Sequence, residues 1–446
     1  MHVYEFQTSL PVSAEYDVLV FGGGPAGCAA AIQAARDGVR AALVEKNGML
    51  GGTTTVASVN FPGLFHTRLG RQVIRGIGWE LIEETVARGG ADLQDFSVPY
   101  EPGRHPAHHI SVNRFVYATV LDDMCVQAGV TLRLHELPAA IRPDGDGCVA
   151  VLAGKSGLTA VRARKLVDAT GDANIAALLG CALEEDACKQ PGTLIYRLGG
   201  YALAEVDRTA LERLAREAIA AGELRPTDFS RPGPGEPPLW RELRSGGGNH
   251  NHIVGIDAAT SPAKTATELH ARAALLRAYR LLRRVPGCER LAVEDVAVEC
   301  GIRDTRRIVG ETRITGDAYK TGYVWPDAVC YSYYPIDIHR HDDNTIDIRP
   351  LADGVVATIP YGALVPQGSE HLLAAGRCIS GDAEAHSAYR VQASASAIGQ
   401  AAGAAAAIAA RRGVAVRDVD VAELRDALRR AGAIVPAPAA AAAPAD

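Results

Sequence analysis

The chain has 446 residues, of which 48% are hydrophobic and 22% are charged, and its formal net charge is -6. This composition is typical of a globular protein with a sizeable core, and the length allows two or three domains. The arginines are scattered along the chain instead of clustered, which argues against a nucleic-acid partner. No run of about 20 apolar residues lacks charges, so we expect no membrane span.

The cysteines and the N-terminus bear on the cellular compartment. None of the nine cysteines forms a CxxC pair, which removes the common zinc, iron–sulfur and thioredoxin-like motifs. Their odd number and wide spacing are typical of reduced thiols. The N-terminal residues have neither a basic start nor a long apolar run, so no signal peptide is predicted. We therefore expect a cytoplasmic protein.

A βαβ unit is predicted over residues 16–45. Tyr16–Phe21 is a short apolar run that ends in glycines, as in a buried parallel strand. The segment from Pro25 to Asp37 contains good helix formers and is followed by a glycine that can end the helix. Arg40–Val44 is the second predicted strand.

Later segments predict further helices and strands and a change of character near Gln190. Helices are predicted at Gly70–Ala91, Asn113–Ala128, Thr265–Arg284 and Ala393–Arg411, strands at Thr131–His135, Lys165–Ala169 and His371–Ala375, and a hairpin over Tyr331–Ile348. We therefore predict an α/β fold in which a Rossmann-like domain, residues 16–189 and 366–412, carries an inserted α+β substrate domain, residues 190–365. The Pro- and Ala-rich tail, residues 435–446, is predicted to be disordered.

A glycine-rich segment, Gly22-Gly23-Gly24-Pro25-Ala26-Gly27, fits the GxGxxG pattern between the first predicted strand and helix. The first glycine of this pattern permits a tight turn, the second lets the backbone approach a pyrophosphate, and the third allows close helix–strand packing. The helix N-terminus offers free N–H groups to phosphates. Glu45 ends the second strand, 18 residues after Gly27, where a carboxylate accepts hydrogen bonds from a ribose diol. The predicted dinucleotide site comprises Gly22, Gly24, Pro25, Ala26, Gly27 and Glu45.

Two further regions favour FAD over NAD. The pair Gly51-Gly52 follows the ribose acid and would let the backbone wrap a ribityl chain. The segments Lys165–Asp172 and His371–Asp382 resemble the middle and C-terminal motifs of FAD-dependent oxidoreductases of the glutathione-reductase-like superfamily. We therefore expect FAD as the cofactor.

The resemblance narrows to one family of bacterial FAD-dependent oxidoreductases, whose GxRxxRRIxG segment is similar to Gly301–Gly310. Tyr334–His339, Pro360–Pro366, Ala375–Ser380 and Gly399–Gly403 resemble the family too, and the similarity spans nearly the whole chain. Membership implies the fold and the cofactor but no particular reaction. Together with the superfamily motifs, it implies further cofactor contacts from Lys46, Gly51, Gly52, Thr53, Thr54, Ala169, Gly171, Asp172, Gly376, Arg377, Gly381, Asp382, Arg390 and Val391.

The residues after the glycine pair predict how FAD is attached. Flavoproteins of the fumarate-reductase type often carry a histidine just after this glycine pair, and FAD is covalently attached to it. This chain has Thr53, Thr54 and Thr55 instead. The resemblance and this departure from it together predict non-covalent FAD.

Five residues are candidates for catalysis. Asp337 and His339 are two apart on a predicted strand and share a face, so His339 could act as a base that Asp337 orients. The alternative is an ordinary polar hairpin turn. Arg303 could clamp a carboxylate or a flavin carbonyl, or it could belong to a structural ion-pair network. His252 lies in a Gly/Asn-rich loop that could close over a substrate or carry no function, and His386 precedes the last long helix, which in the superfamily starts near the flavin.

No third ligand stands at metal-binding spacing near Asp337 and His339, so we expect no metal. The chain has one GxGxxG unit, and residues 190–365 show no second βαβ unit for NADPH. We therefore predict a dehydrogenase or oxidase that takes hydride from a C–H next to oxygen or nitrogen of a small polar substrate. Two alternatives stay open: a reductase of an activated C=C bond, and a structural FAD in a non-catalytic or RNA-modifying protein. The electron acceptor is unknown, and the sequence also allows a homo-oligomer.

Overall fold

The computed structural model describes residues 7–342 and 345–437. The strands are β1 (Val12–Phe21), β2 (Ala41–Glu45), β3 (Thr131–Leu134), β4 (Leu137–Asp144), β5 (Gly147–Gly154), β6 (Gly157–Asp168), β7 (Leu183–Glu185), β8 (Gly192–Thr193), β9 (Tyr196–Gly199), β10 (Gly247–Gly248), β11 (His252–Ile253), β12 (Ala292–Val296), β13 (Arg306–Ile308), β14 (Ala328–Ser332), β15 (Ile336–His339), β16 (Ile346–Arg349), β17 (Ala357–Pro360) and β18 (Leu372–Ala374). The helices are α1 (Pro25–Arg36), α2 (Ile77–Ala87), α3 (Arg114–Gln127), α4 (Asn174–Leu178), α5 (Arg208–Ala220), α6 (Trp240–Ser245), α7 (Ser261–Leu282), α8 (Gly316–Thr321), α9 (Ala383–Tyr389), α10 (Gln392–Arg412) and α11 (Val421–Arg430).

The main sheet has seven strands, in the order β3-β2-β1-β6-β5-β4, and β18 pairs with β6. The strands β3, β2, β1, β6 and β18 run parallel to their neighbours. Residues Val18–Phe21 of β1 are buried on both faces, as expected for a parallel strand covered by helices. The predicted βαβ unit is present as β1, α1 and β2, and the predicted α/β Rossmann-like class is confirmed.

Two local predictions differ from the structure. The antiparallel ladder of β4, β5 and β6 lies within a region where the sequence analysis found only the end of β6. The helix predicted over Gly70–Ala91 begins only at Ile77. Gly76 has φ 75° and faces Gln400, whose Oε1 would lie 2.2 Å from a Cβ at position 76. A left-handed glycine at this close contact stops the helix from extending toward the N-terminus.

The long helix α10 packs directly against α1. A Cβ added at Gly399 would lie 2.0 Å from the Ala26 carbonyl oxygen, and one at Gly403 would lie 2.1 Å from the Ala30 carbonyl oxygen. The two backbones therefore approach each other without intervening side chains. Among the described residues, α10 alone has the length and mean hydropathy of a membrane-spanning helix, and that apolar stretch is wholly buried inside the protein.

Two hydrophobic clusters divide the described chain. The first surrounds the main sheet, and the second contains residues from Leu194 to Cys300, including the facing sides of α5 and α7. Ile308 and later residues such as Ile336 and Ile359 belong to the first cluster. The packing therefore favours an insert shorter than the predicted range 190–365, although the domain division as such stays a prediction.

Two other predictions fall partly outside the described residues. The predicted hairpin forms as β15 and β16, which pair in antiparallel register from Ile336 with Arg349 to His339 with Ile346. Its expected turn includes Asp343 and Asn344, which lie outside the described residues. Of the tail predicted to be disordered, residues 435–437 have no regular secondary structure and residues 438–446 are not described.

Candidate functional site

A cleft of about 400 Å³ opens at the carboxyl ends of β1, β2 and β6 and extends to the insert. This volume lies within the range of roughly 300–1,000 Å³ that is typical of small-molecule sites, and the position is where parallel α/β sheets bind ligands. Eighteen of the predicted site residues line the cleft: Gly22, Gly24, Pro25, Ala26, Glu45, Lys46, Gly52, Thr53, Ala169, Gly171, Asp172, Arg303, Asp337, His339, Gly376, Arg377, Arg390 and Val391.

The glycine-rich loop has the geometry that its motif requires. Gly22 has φ 99°, and a Cβ there would lie 2.4 Å from the Ala169 carbonyl oxygen. A Cβ at Gly27 would lie 1.8 Å from the Gly22 carbonyl oxygen, so this glycine serves helix–strand packing and does not itself line the cleft. Gly24 is the N-cap residue of α1 and, as a glycine, makes no side-chain hydrogen bond. A Cβ added there would meet no atom within 4 Å. The first N–H groups of α1 are thus accessible to an anionic group such as a pyrophosphate, which fits FAD.

Glu45 joins the end of β2 to the glycine-rich loop. Its Oε2 accepts a hydrogen bond from the Gly23 N–H at 2.6 Å, and its Oε1 accepts from the backbone and side-chain nitrogens of Asn47 at 2.8 and 2.9 Å. A carboxylate has about four acceptor positions, so three contacts leave capacity for a ribose hydroxyl. Glu45 also lines the cleft. Its carboxylate therefore holds the glycine-rich loop through Gly23 in addition to its expected role of binding the ribose.

The segment after β2 contributes to the cleft through Gly52 and Thr53. Gly51 donates its N–H to the Gly23 carbonyl at 2.7 Å and lies behind the cleft wall. Thr54 is buried there as well and donates its hydroxyl to the Gln392 side chain at 2.5 Å. Thr53 lines the cleft at the position after the glycine pair, and non-covalent attachment of FAD stays a prediction.

Gln392 is a cleft residue that the sequence analysis missed. It is the first residue of α10, and its Nε2 donates to the Val59 carbonyl at 2.7 Å. The available signal was its place directly after Val391 at the start of a long helix. The N-cap Val391 makes no side-chain hydrogen bond, so the positive end of a 21-residue helix faces the cleft.

Two ion pairs connect separate segments of the cleft wall. Arg377 Nη2 lies 2.6 Å from Asp172 Oδ1, which also accepts from the Thr305 hydroxyl at 2.8 Å. Lys46 Nζ lies 2.9 Å from Glu299 Oε2 and thereby links β2 to the insert. The charges at these two places are largely balanced within the protein.

The structure does not bring three predicted residues of the C-terminal region to the cleft. Asp382 caps α9 by accepting from the Ala385 N–H, and it also accepts from the Gly316 N–H, each at 2.8 Å. Gly381 packs against the Tyr389 ring, where a Cβ would lie 2.7 Å from ring atoms. His386 is buried, and neither ring nitrogen has a hydrogen-bond partner among the described residues. None of these three residues lines the cleft, and Asp382 serves instead to cap α9.

Asp337 and His339 lie side by side on β15 and both line the cleft. His339 Nε2 is 3.4 Å from Asp337 Oδ1. Burial, reinforced by the charge of Arg303, lowers the pKa of His339 from 6.5 to about 4, although Asp337 opposes this. Burial acts to raise the pKa of Asp337, but contact with His339 and the charges of Arg390 and Arg303 outweigh it and hold that pKa well below its ordinary value. At neutral pH the pair is therefore a neutral imidazole beside a carboxylate.

Two buried arginines, Arg303 and Arg390, line the cleft together with this pair. Arg390 Nη2 donates to the Asp337 carbonyl at 3.2 Å and lies 3.8 Å from Asp337 Oδ2. Arg303 Nη1 donates to the Pro191 carbonyl and to the Thr193 hydroxyl, each at 2.7 Å. Burial, followed by the charge of Arg390, lowers the pKa of Arg303 from 12.5 to about 9. Both guanidinium groups remain charged at neutral pH.

His252 lies behind the cleft wall. Its Nδ1 is 3.0 Å from the Thr193 hydroxyl, and its ring is 4.9 Å from the His339 ring. Burial, together with the charge of Arg303, holds the pKa of His252 well below its ordinary value. The predicted role of a loop histidine that closes over a substrate does not fit this position, because His252 is already packed on β11.

Tyr334 is a second cleft residue that the sequence analysis did not assign. Its hydroxyl is 3.1 Å from His105 Nε2, and its ring stacks on His109, which also lines the cleft. Burial raises the pKa of Tyr334, so the phenol stays protonated at neutral pH. Tyr334 is the first residue of the family-like segment Tyr334–His339. Its proximity to His339 in the sequence was the signal that could have identified it.

Comparisons with solved structures give weak similarities. The geranylgeranyl bacteriochlorophyll reductase-like protein of Thermoplasma acidophilum is 13% identical, with a TM-score of 0.41, covering 94% of this chain and 83% of that chain. The anhydrotetracycline hydroxylase OxyS of Streptomyces rimosus is 20% identical, with a TM-score of 0.29, covering 41% of this chain and 37% of that chain.

A curated relative matches one short segment. Dihydrolipoyl dehydrogenase of Trypanosoma brucei brucei is 54% identical over 48 residues, which are 11% of this chain and 10% of that protein. The matched segment is therefore only a tenth of that relative's length.

The family comparison covers most of the chain. The family described as FAD dependent oxidoreductase matches residues 17–428, which include the glycine-rich loop, the insert and the start of α10. The fold and the residues of the cleft fit its cofactor, since the cleft offers an uncapped helix N-terminus, a ribose acid and a second helix N-terminus. The chain is an FAD-dependent enzyme that belongs to the FAD-dependent oxidoreductase family.

Proposed function

We propose that this enzyme oxidises a small polar substrate by removing hydride from a C–H next to oxygen or nitrogen. The observation that carries the proposal is the Asp337–His339 pair, which lines the same cleft as the glycine-rich loop and holds a neutral imidazole at neutral pH. Bound FAD supplies the two-electron acceptor for the hydride. The protein must then position the substrate and accept its hydroxyl or amine proton.

His339 has the properties of the proton acceptor. Its imidazole is unprotonated above about pH 4, and the adjoining Asp337 carboxylate would stabilise the imidazolium that forms when the proton arrives. Asp337 is itself fixed, because Arg390 donates to its carbonyl and Ser387 accepts from its N–H at 3.2 Å. The electrons leave as hydride and the proton goes to His339, so the step balances.

Anaerobic flavin reduction tests the proposal. The holoenzyme would be mixed with polyols, sugars, amines and hydroxy acids while the absorbance of oxidised flavin is recorded. We expect bleaching by at least one class, and slower bleaching when the reacting C–H is replaced by C–D. Reoxidation on admitting air would then separate an oxidase from a dehydrogenase. Failure of all four classes to reduce the flavin would contradict the proposal.

Reduction of an activated C=C bond is a second candidate, which one observation favours. Arg303 and Arg390 line the cleft together with Tyr334, whose protonated phenol could supply the acid that such a reaction needs. In this case chemically reduced holoenzyme would be reoxidised anaerobically by an α,β-unsaturated acid. If the reduced Tyr334→Phe variant were reoxidised as fast as the wild-type enzyme, this second candidate would be contradicted.

A further inference from the structure

Arg303 is a buried guanidinium group without a counter-ion. Only 9% of the residue is exposed, and its guanidinium donates hydrogen bonds to two uncharged groups, the Pro191 carbonyl and the Thr193 hydroxyl. No carboxylate in residues 7–342 and 345–437 lies within ion-pair distance of it. Buried charges in proteins are normally paired, because removing a charge from water costs several kcal/mol that an opposite charge offsets. The position therefore favours a further negative charge, because Asp337, the carboxylate that acts on Arg303 at longer range, is also the one beside Arg390.

The neighbouring charges do not remove this imbalance. Arg390 has one carboxylate within ion-pair distance, that of Asp337 at 3.8 Å, and its Nε is buried with no partner among the described residues. Asp304 acts on Arg390 from farther away, but its carboxylate is paired with Arg307 at 3.3 Å. His252 and His339 also lie near Arg303, but burial keeps both imidazoles neutral at neutral pH, so they add no positive charge. Two guanidinium groups thus share one carboxylate, which leaves an excess of one positive charge.

The excess charge faces the cleft. Arg303 and Arg390 both line it, at the end that also contains Asp337 and His339. The other lysines and arginine that line the cleft, Lys46, Lys264 and Arg377, each have a carboxylate within 3 Å. Unpaired positive charge is therefore concentrated beside the predicted base and not spread along the cleft.

We propose that Arg303, together with Arg390, binds the carboxylate of the substrate. The inference rests on the proposed function and narrows it to small carboxylic acids, such as hydroxy or amino acids. Thr193 connects the two parts of the site, since its hydroxyl contacts both Arg303 at 2.7 Å and His252 at 3.0 Å, and His252 adjoins His339. A substrate whose carboxylate meets Arg303 thus has its neighbouring carbon atoms near the His339 imidazole.

Ligand titration of the wild-type holoenzyme tests the inference without any mutation. Benzoate, malonate and propionate would be titrated against benzamide, malonamide and propionamide, with the flavin absorption difference spectrum as the measurement. We expect each acid to bind at least about tenfold more tightly than its amide, because a charge-assisted hydrogen bond is worth more than a neutral one. Equal affinities of the acids and amides would overturn the inference.

Variants of Arg303 assign the effect to this residue. Arg303→Gln should weaken acid binding at least about tenfold and leave amide binding and FAD content unchanged, and Arg303→Lys should retain part of the affinity. Arg213→Gln is the matched control, since it removes one exposed arginine charge from the insert. Loss of FAD in folded Arg303→Lys would overturn the inference, because the guanidinium would then serve the cofactor.

The outcomes separate this inference from the proposed function. Flavin bleaching by uncharged alcohols or amines, with no preference for acids, would support hydride removal and overturn the carboxylate site. Arg303-dependent binding of acids without bleaching by any substrate class would support the carboxylate site and contradict the proposed function.

Discussion

The two ends of the cleft are built in different ways. The end formed by β1, α1 and β2 consists mainly of backbone: glycines approach carbonyl groups closely, and a helix N-terminus is left uncapped. The other end consists of charged side chains that are removed from water, with Arg303, Asp337, His339 and Arg390 in mutual contact or electrostatic range. Binding at the first end depends on the close packing of the backbone, and binding at the second end depends on the buried charges.

This difference predicts opposite sensitivities to mutation. In the backbone-built end, one added methyl group is more damaging than the loss of a polar side chain, because tightly packed backbone cannot move apart locally. In the side-chain end, changes that preserve shape but alter charge should damage activity while the fold survives. The following experiments test this contrast, from the largest expected effect to the smallest.

Gly27→Ala should have the largest effect. Its Cβ would lie 1.8 Å from the Gly22 carbonyl oxygen, so α1 cannot stay against β1. We expect loss of bound FAD and a lower thermal unfolding temperature. Gly24→Ala is the matched control: its Cβ meets nothing within 4 Å, so the apoprotein should unfold at the wild-type temperature and bind FAD more weakly. Similar behaviour of the two variants would remove the distinction between packing and cofactor approach.

His339→Ala should slow flavin reduction by about 10²–10⁴-fold, the usual contribution of a positioned base. The FAD content and the unfolding temperature should stay close to wild type, because the His339 imidazole is uncharged at neutral pH and lines the cleft. Asp337→Asn keeps the shape and should slow reduction less than His339→Ala. Stopped-flow absorbance under anaerobic conditions measures both. Reduction of His339→Ala at the wild-type rate would show that another group accepts the proton.

Glu45→Gln should weaken FAD binding by about 1.5–3 kcal/mol, the range for hydrogen bonds to charged groups. Part of this loss should come from the loop, because the carboxylate also accepts from the Gly23 and Asn47 N–H groups. Fluorescence titration of apoprotein with FAD gives the affinity. An unchanged affinity would contradict the assignment of Glu45 to the ribose.

The smallest expected effect is that of pH. The pKa of His339 is lowered to about 4, so the imidazole is already unprotonated well below neutral pH. The rate of flavin reduction should therefore be constant between about pH 5 and about pH 8, and it should fall only as the pH drops toward 4. A decline centred near about pH 6.5, the ordinary histidine value, would show that His339 is not desolvated as the structure indicates.

Prediction from the sequence succeeded best where function is encoded locally. The glycine-rich loop and Glu45 are each specified by neighbouring residues, so their place at the cleft followed from spacing. The start of α10 was expected there only from the family resemblance, and its first residue, Gln392, was missed. In the β4–β5–β6 ladder, β4 and the first half of β6 were missed because they are only partly buried. The apolar run Cys148–Ala153 of β5 was a usable signal that was not used. The shortened α2 was missed because the contact of Gly76 with Gln400 joins residues far apart in the chain.

The side-chain end of the cleft was predicted only in part, for the same reason. Asp337 and His339 are close in sequence, so their shared face was predictable. The absence of a counter-ion for Arg303 and the approach of Arg390 depend on contacts between four distant segments, which no spacing reveals. His386 and Asp382 lie in a motif that leads to the cleft, yet the His386 side chain is buried in the core and the half-buried Asp382 caps α9.

The close contact between α1 and α10 has a mechanical consequence for the cleft. The N-cap residues of the two helices, Gly24 and Val391, line the cleft wall. Farther along, the backbone of α10 approaches that of α1 closely at Gly399 and Gly403. This contact works as a rigid spacer that sets the gap between the two helix N-termini. A single methyl group at Gly403, which touches no part of the cleft, would therefore widen that gap and disturb both ends of a ligand that spans it.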